Sequence, residues 1–366
     1  MSPAQTTTRK FFSKLSTLAF VLALIPICLP TAVFAEEPAH LQNTYGEPID
    51  FKTSTEVHAF IDFMVTRHGF STEELEQIFG YVQFCSKCVQ LIKPAPVTKL
   101  KNWAAYRARF IEPTRINAGV KFWTQYADAL NRAEKQFGVP AQIIVGIIGV
   151  ETLYGKTVGK FRVLDALSTL SFAYPDTVTR ESRMAYFLGE LEQTLLFARE
   201  SGIEPFSLVG SYAGAIGWSQ FMPSSIRQYA VDYDGDGKVD LRNSPIDAIG
   251  SVANFLAQHG WESGLPLAFP ATIVSDPEKM LAKELNATYT LQELENVAVP
   301  SHKNTPTELQ YGLIDLQNGD DPTQYWLATR NFFAITKYNR SYFYAMSVVE
   351  LGKAVCHAKF TNISCE

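Results

Sequence analysis

The stretch that most constrains this chain is residues 143–150, Ile-Ile-Val-Gly-Ile-Ile-Gly-Val, with Pro140 ahead of it and Gly155 behind. Pro140 predicts a helix beginning at its favoured first position, and Gly155 predicts its stop. Apolar side chains on nearly every side leave no face for water, so this helix must run through a core enclosed by other elements. The run closes on Glu151, where a carboxylate is costly to bury. Burial disfavours its ionised form, and the negative C-terminal end of the helix acts in the same direction. Both predict a raised pKa and a carboxyl kept protonated near neutral pH. Such a group donates a proton to a leaving oxygen, the general-acid requirement of glycoside cleavage. On the helix alone, a Glu paired with a nearby Arg or a backbone donor is the simpler reading.

Helical signals surround this run. Phe70-Ser71-Thr72-Glu73-Glu74-Leu75 reads as a capping box inside a hydrophobic staple. Pro94-Ala95-Pro96 breaks that pattern, and an aromatic-rich segment from Trp103 to Trp123 resumes it. Further helices are expected over about 182–200, closed by Gly202; over 244–259, with Ser244 as cap and Pro245 first; and over about 342–358. From about 265 to 336 the pattern changes to short β-prone pieces, including 313–316 and 324–329, separated by Asn318-Gly319-Asp320-Asp321-Pro322.

Residues 1–35 read as an export signal. Arg9, Lys10 and Lys14 precede an apolar stretch over 18–27, and Ala32-Val33-Phe34-Ala35 supplies the small residues of a cleavage site. Pro26, Pro30 and the short apolar length argue against a retained spanning helix. Ile25-Pro26-Ile27 lacks the small residue expected before a lipidated Cys28. Cleavage leaves 29 basic against 37 acidic side chains, a balance without the electrostatic pull toward nucleic acid. In an oxidising compartment Cys85 with Cys88, and Cys356 with Cys365, are close enough in sequence to form two local disulfides. A redox motif or half a zinc site are the alternatives for Cys85-Ser-Lys-Cys88, but no His cluster completes it.

The runs Gly149-Val150-Glu151-Thr152-Leu153-Tyr154-Gly155 and 210–225, Gly-Ser-Tyr-Ala-Gly-Ala-Ile-Gly-Trp-Ser-Gln-Phe-Met-Pro-Ser-Ser, closely resemble those of the membrane-bound lytic murein transglycosylase B family, which has a lysozyme-like core. The likeness extends through 247–254 to Tyr338-Asn339 and Tyr344. It implies that Glu151 is a single catalytic acid/base and that Tyr106, Arg183, Ser211, Gln220, Tyr338, Asn339 and Tyr344 line a glycan cleft. Trp218 and Ser219 stand where the family pattern would have Tyr and Gly. Aromatic rings stacking on pyranose faces, with Asn, Gln, Ser and Arg bonding their polar groups, suit such a cleft.

Asp232-Tyr233-Asp234-Gly235-Asp236-Gly237-Lys238 reads as a calcium loop: oxygens at positions 1, 3 and 5, Gly237 at the turn, and the Lys238 carbonyl at position 7. Position 12 is Asn243 rather than Glu, and the next carboxylate is Asp247. Asp247 is either the closing ligand of a lengthened loop, as the resemblance implies, or a capping partner of Ser244. A structural ion, Ca2+, is expected. No G-x-S-x-G, H-E-x-x-H or Gly-rich phosphate loop is present, which removes serine-hydrolase, metalloprotease and nucleotide chemistry.

The expected architecture is mostly α: an export signal (1–35), an N-terminal helical domain (36–139), a lysozyme-like core with the calcium loop (140–263), a small β subdomain (264–336) and a C-terminal helical segment (337–366). The expected activity is non-hydrolytic cleavage of the MurNAc-β-1,4-GlcNAc bond of peptidoglycan, leaving 1,6-anhydromuramoyl ends, by a periplasmic monomer acting on glycan strands. Peripheral attachment to the membrane or to a cell-wall complex stays open. The alternatives are a hydrolytic muramidase and a non-catalytic, calcium-stabilised glycan-binding protein.

Overall fold

The computed structural model describes residues 46–94, 100–361 and 365, so the export signal at 1–35 and part of the Pro94–Pro96 break lie outside the described residues. Helix α1 (Thr55–His68) is capped by Ser54, and α2 (Thr72–Tyr81) by Ser71, whose hydroxyl accepts from the Glu74 amide at 3.0 Å. Phe70 and Leu75, the expected staple pair, are both buried. The Cys85–Cys88 disulfide ties the cap of helix α3 (Ser86–Ile92) to its first turn, and α4 (Trp103–Arg107), α5 (Pro113–Gln125) and α6 (Ala127–Phe137) lead to the apolar run.

That run is α7 (Ala141–Thr152), and every residue from 141 to 150 is buried. Pro140 is its cap rather than its first residue, one position earlier than the sequence predicts. The two-stranded pair β1 (Phe161–Arg162) and β2 (Val209–Gly210) brackets α8 (Val163–Phe172) and α9 (Arg180–Ser201), which ends at a left-handed Gly202 as expected. Helix α10 (Pro223–Tyr229) has no cap of its own. Glu190 of α9 supplies one, its two oxygens accepting from the Ser224 amide at 2.9 Å and hydroxyl at 2.7 Å. Helix α11 (Pro245–Gln258) starts with Ser244 accepting from the Asp247 amide.

The next segment builds an antiparallel sheet from β3 (Ala268–Ile273), β4 (Ala298–Pro300), β5 (Gly312–Asn318) and β6 (Asp321–Ala328), in the order β4-β3-β6-β5, with α12 (Leu291–Leu294) between β3 and β4. Two helices were not legible within the stretch read as β: the single turn of α12, and α13 (Arg330–Tyr338) at its end. In α13, Phe332, Phe333, Ala334 and Ile335 are consecutive and all buried, so the apolar pattern has no period to separate helix from strand. A small satellite cluster around Leu294, Tyr311, Leu313 and Leu327 holds the sheet together. The main core instead runs continuously from Phe51 to Cys365.

The last helix, α14 (Tyr342–Lys359), packs along α7, and Cys356 at its end is bonded to Cys365. Two glycines bring the backbones together. A Cβ on Gly146 of α7 would stand 2.3 Å from the Val348 carbonyl oxygen, and one on Gly352 of α14 would stand 2.2 Å from that of Gln142. No real side chain tolerates either distance, so the two helices approach as closely as bare backbone allows. These contacts fix α14 against the first two turns of α7, and the antiparallel run then carries Tyr344 to Glu151 at the other end of α7. Among the described residues, no helix is long and apolar enough to cross a membrane.

Candidate active site

Glu151 lies in the last turn of α7, partly open to solvent, and the Tyr344 hydroxyl of α14 donates to its Oε1 at 2.6 Å. Burial of the carboxyl pushes its pKa up to about 7, against the opposing pull of the Tyr344 hydrogen bond. The sequence expectation of a raised value holds, and its leading cause is the expected one. Burial, and after it the Glu151 charge, holds the phenols of Tyr338 and Tyr344 well above their ordinary pKa. Both hydroxyls therefore remain donors across the pH range in which Glu151 titrates.

The two phenols form one wall. Their rings stack with centroids 6.3 Å apart, and the Tyr338 hydroxyl donates to the carbonyl of Ser219. Ser219 is fully buried and Trp218 lies with its ring against Gly155, so these two unexpected residues act as packing between the loop over 210–222 and the end of α7. Thr152 makes the same connection: its hydroxyl lies 2.9 Å from the Trp218 carbonyl and accepts from the Gly155 amide at 3.0 Å. The chain leaves α7 through Leu153 (φ 51°), Tyr154 (φ 56°) and Gly155 (φ 81°), all left-handed. Two non-glycine residues in that region store strain directly beside the acid. Only Gly155 announces this turn in the sequence.

Beneath Glu151, Arg115 of α5 donates to the Gly149 carbonyl, capping the negative end of α7 with a cation. Its guanidinium lies 5.3 Å from the Phe110 ring. Sequence reasoning did not single out Arg115 or Thr152; each is legible only once α5, α7 and the loop are brought together.

Of the other expected cleft residues, Tyr106 of α4 is near enough that the Glu151 charge raises its phenol, with burial the larger cause. Gln220 (φ 50°) spends its amide on the Val158 and Gly217 carbonyls, at 3.2 and 2.9 Å, tying two loops together. The Ser211 hydroxyl accepts from the Ala213 and Ala215 amides, closing its own turn. Arg183 of α9 lies over Tyr186 and Phe187, and Asn339 is exposed at the end of α13. Neither hydrogen-bonds to Glu151.

Three other carboxylates are engaged elsewhere. Asp165 pairs with Arg162 at 2.6 Å and accepts from the Gln83 amide. Glu190 is the α10 cap, and Asp247 accepts from the Tyr233, Asp234 and Asp240 amides. No second carboxylate is among the groups that shift Glu151.

In the loop over 232–247, carboxylate oxygens of Asp232, Asp234 and Asp247 come within 4.8 Å of one another. This all-oxygen set suits a hard cation such as calcium. Asp236 is not in the group: its Oδ1 accepts from the Lys238 amide. The Asp247 amide donates to the Ser244 hydroxyl, as the capping reading expects, while its carboxylate accepts from amides of the loop.

A carboxyl of raised pKa under a phenol donor, at the end of a buried helix, is the arrangement that a general acid for glycoside cleavage needs. A family model described as a transglycosylase SLT domain matches residues 52–353. Membrane-bound lytic murein transglycosylase B of Escherichia coli (strain K12) is 42% identical over 338 residues, covering 90% of each chain. The solved Escherichia coli lytic transglycosylase Slt35 in complex with calcium superposes with a TM-score of 0.73 at 42% identity, covering 88% of this chain and 99% of that one. SltB3 from Pseudomonas aeruginosa in complex with NAG-anhNAM-pentapeptide gives 0.67 or below in its complexes, 0.65 in this one, at 26% identity over 82% of this chain and 78% of that one. The chain belongs to the lytic murein transglycosylase family and is a lyase acting on peptidoglycan.

Proposed function

We propose that Glu151 is the single acid/base with which this enzyme cleaves the MurNAc-β-1,4-GlcNAc bond. The observation that carries the proposal is the Tyr344–Glu151 hydrogen bond around a carboxyl with a pKa of about 7 and no carboxylate partner. Protonated Glu151 gives its proton to the glycosidic oxygen as the bond to the anomeric carbon breaks. The positive charge left on that carbon is met by the carbonyl of the substrate's own 2-acetamido group. Glu151, now a carboxylate stabilised by the Tyr344 hydroxyl, takes the proton from the muramyl 6-hydroxyl, whose oxygen closes on the anomeric carbon. The product is a 1,6-anhydro ring, Glu151 ends protonated, and no water is consumed. Retaining and inverting hydrolases use a second carboxyl within roughly 5–10 Å, which this chemistry does not need.

Tyr106, Tyr338 and Tyr344 supply the aromatic wall of the cleft, and Ser211, Gln220, Arg183 and Asn339 its polar contacts. Support for an anhydromuramoyl product comes from the Pseudomonas aeruginosa relative, solved with NAG-anhNAM-pentapeptide. Asp232, Asp234 and Asp247 would hold a structural calcium, aided by Asp236 and the Lys238 carbonyl; support comes from the convergent carboxylates and from the calcium complex of Slt35. When bound, the ion cross-links the loop to the start of α11. We assign the enzyme to the periplasm, reached through the export signal over 1–35 and compatible with membrane attachment like that named for its Escherichia coli relative.

Digestion of purified peptidoglycan in 18-O water tests the reaction by product mass. Unlabelled anhydro ends support it, labelled reducing ends identify a hydrolytic muramidase, and no digestion identifies a glycan-binding protein.

A further inference from the structure

Tyr106 stands on α4, a five-residue helix too short to hold its own shape. Its placement must come from outside. Trp103, only 1% exposed, anchors the helix, with its ring 6.4 Å from Tyr106 and 5.4 Å from Phe343 of α14. Arg107 pairs with Glu350 on the same helix. The other end is held by the tip of the β5–β6 hairpin, more than 200 residues away in sequence. There the Asn318 side-chain oxygen accepts from the Ala104 amide at 2.8 Å, and the Gly319 amide donates to the Lys101 carbonyl at 2.8 Å. Asn102 and Asn318 form an antiparallel bridge, while Asn102 caps the Ala105 amide at 2.8 Å.

The first amides of α4 are thus shared between its own cap and a side chain from the sheet. An α4 amide with no partner would favour unwinding of the single turn that carries Tyr106. We propose that Asn318 is a positioning residue for the glycan cleft: through Ala104 it fixes the ring of Tyr106, and so gives the β subdomain a part in substrate binding. The proposal rests on the reading of Tyr106 as a glycan contact, and the experiment separates the two.

Steady-state kinetics on soluble, uncrosslinked peptidoglycan strands would be measured for Asn318→Ala, Asn318→Asp, Tyr106→Ala and the Asn318→Ala/Tyr106→Ala double variant. Loss of one backbone-to-side-chain hydrogen bond predicts a KM about five-fold higher in Asn318→Ala, with kcat within about two-fold. Asn318→Asp keeps the acceptor and should restore KM. The double variant should be no worse than Tyr106→Ala, because the two residues act on one ring. If Tyr106→Ala leaves KM unchanged, the cleft reading fails and the proposal falls with it. A defective Tyr106→Ala beside a wild-type Asn318→Ala, or effects that multiply in the double variant, overturns the positioning role alone. Should Asn318→Ala not fold, Gly319→Ala substitutes: at φ 65° a side chain is strained, and its Cβ would stand 2.9 Å from the side-chain Nδ2 of Asn102, crowding the residue that caps α4 at the hairpin tip. It should raise KM likewise, and an unchanged KM overturns the proposal.

Discussion

Replacing Glu151 with Gln should abolish turnover and, at alkaline pH, make the protein more stable. The carboxyl is raised from 4.5 to about 7, with burial as the main cause. A raised acid binds its proton more tightly in the folded than in the unfolded chain. Its full contribution to stability is therefore present below about pH 4.5 and is lost as pH rises through 7. A difference of about 2.5 units corresponds to at most about 3 kcal/mol at pH 8 and under about 0.3 kcal/mol at pH 4. Gln fills the same volume, keeps an oxygen for the Tyr344 hydroxyl and never ionises. Thermal unfolding of wild type and Glu151→Gln at the two pH values measures the difference. The variant should melt about 5 °C higher at pH 8 and within about 1 °C at pH 4. An equal gain at both pH values, or a loss at pH 8, would refute the claim that an enclosed ionising carboxyl is strained into place here.

Tyr344→Phe removes the hydrogen bond that lowers the Glu151 pKa, so the alkaline limb of the kcat/KM profile should move to higher pH while kcat falls; a limb that stays or moves down contradicts the pairing. Gly352→Ala sets a methyl 2.2 Å from the Gln142 carbonyl, forcing α7 and α14 apart at a cost of about 1–3 kcal/mol, and should lower both melting temperature and turnover. Calcium should raise the melting temperature, and Asp232→Ala with Asp247→Ala should cancel that gain; a midpoint indifferent to calcium and chelator counts against the ion site. Peptide mapping should recover Cys85–Cys88 and Cys356–Cys365 cross-links and no free thiol among these four, and reduction should soften their surroundings rather than unfold the core.

Glu151 was readable from the sequence because an all-apolar helix makes a single carboxylate conspicuous, and burial alone then dictates the direction of its pKa. The caps at Ser71 and Ser244 and the close cysteine pairs were readable for a similar reason, since each is a local signal spanning a few residues. Tyr344 was not readable in this way. It meets Glu151 across 193 positions, and only the resemblance of its motif pointed to it. The left-handed Leu153 and Tyr154 gave no sign, because non-glycine residues enter that region only when the surrounding structure forces them there. Helix α13 was hidden by the very density of its apolar residues, and the Asn318–Ala104 contact by the distance between a hairpin and a one-turn helix.

The backbone contacts that Gly146 and Gly352 allow between α7 and α14 also order events in time. A chain made from its N-terminus delivers Glu151 long before the helix that covers it. Until α14 arrives, α7 keeps an apolar flank in water, and contacts of such long sequence separation form late in folding. Glu151 without that cover is an ordinary solvated carboxylate, ionised at neutral pH and unable to protonate a leaving oxygen. With Glu151 as the acid proposed above, the enzyme is expected to be inactive as a fragment lacking α14. Completion of the fold is the step that arms it.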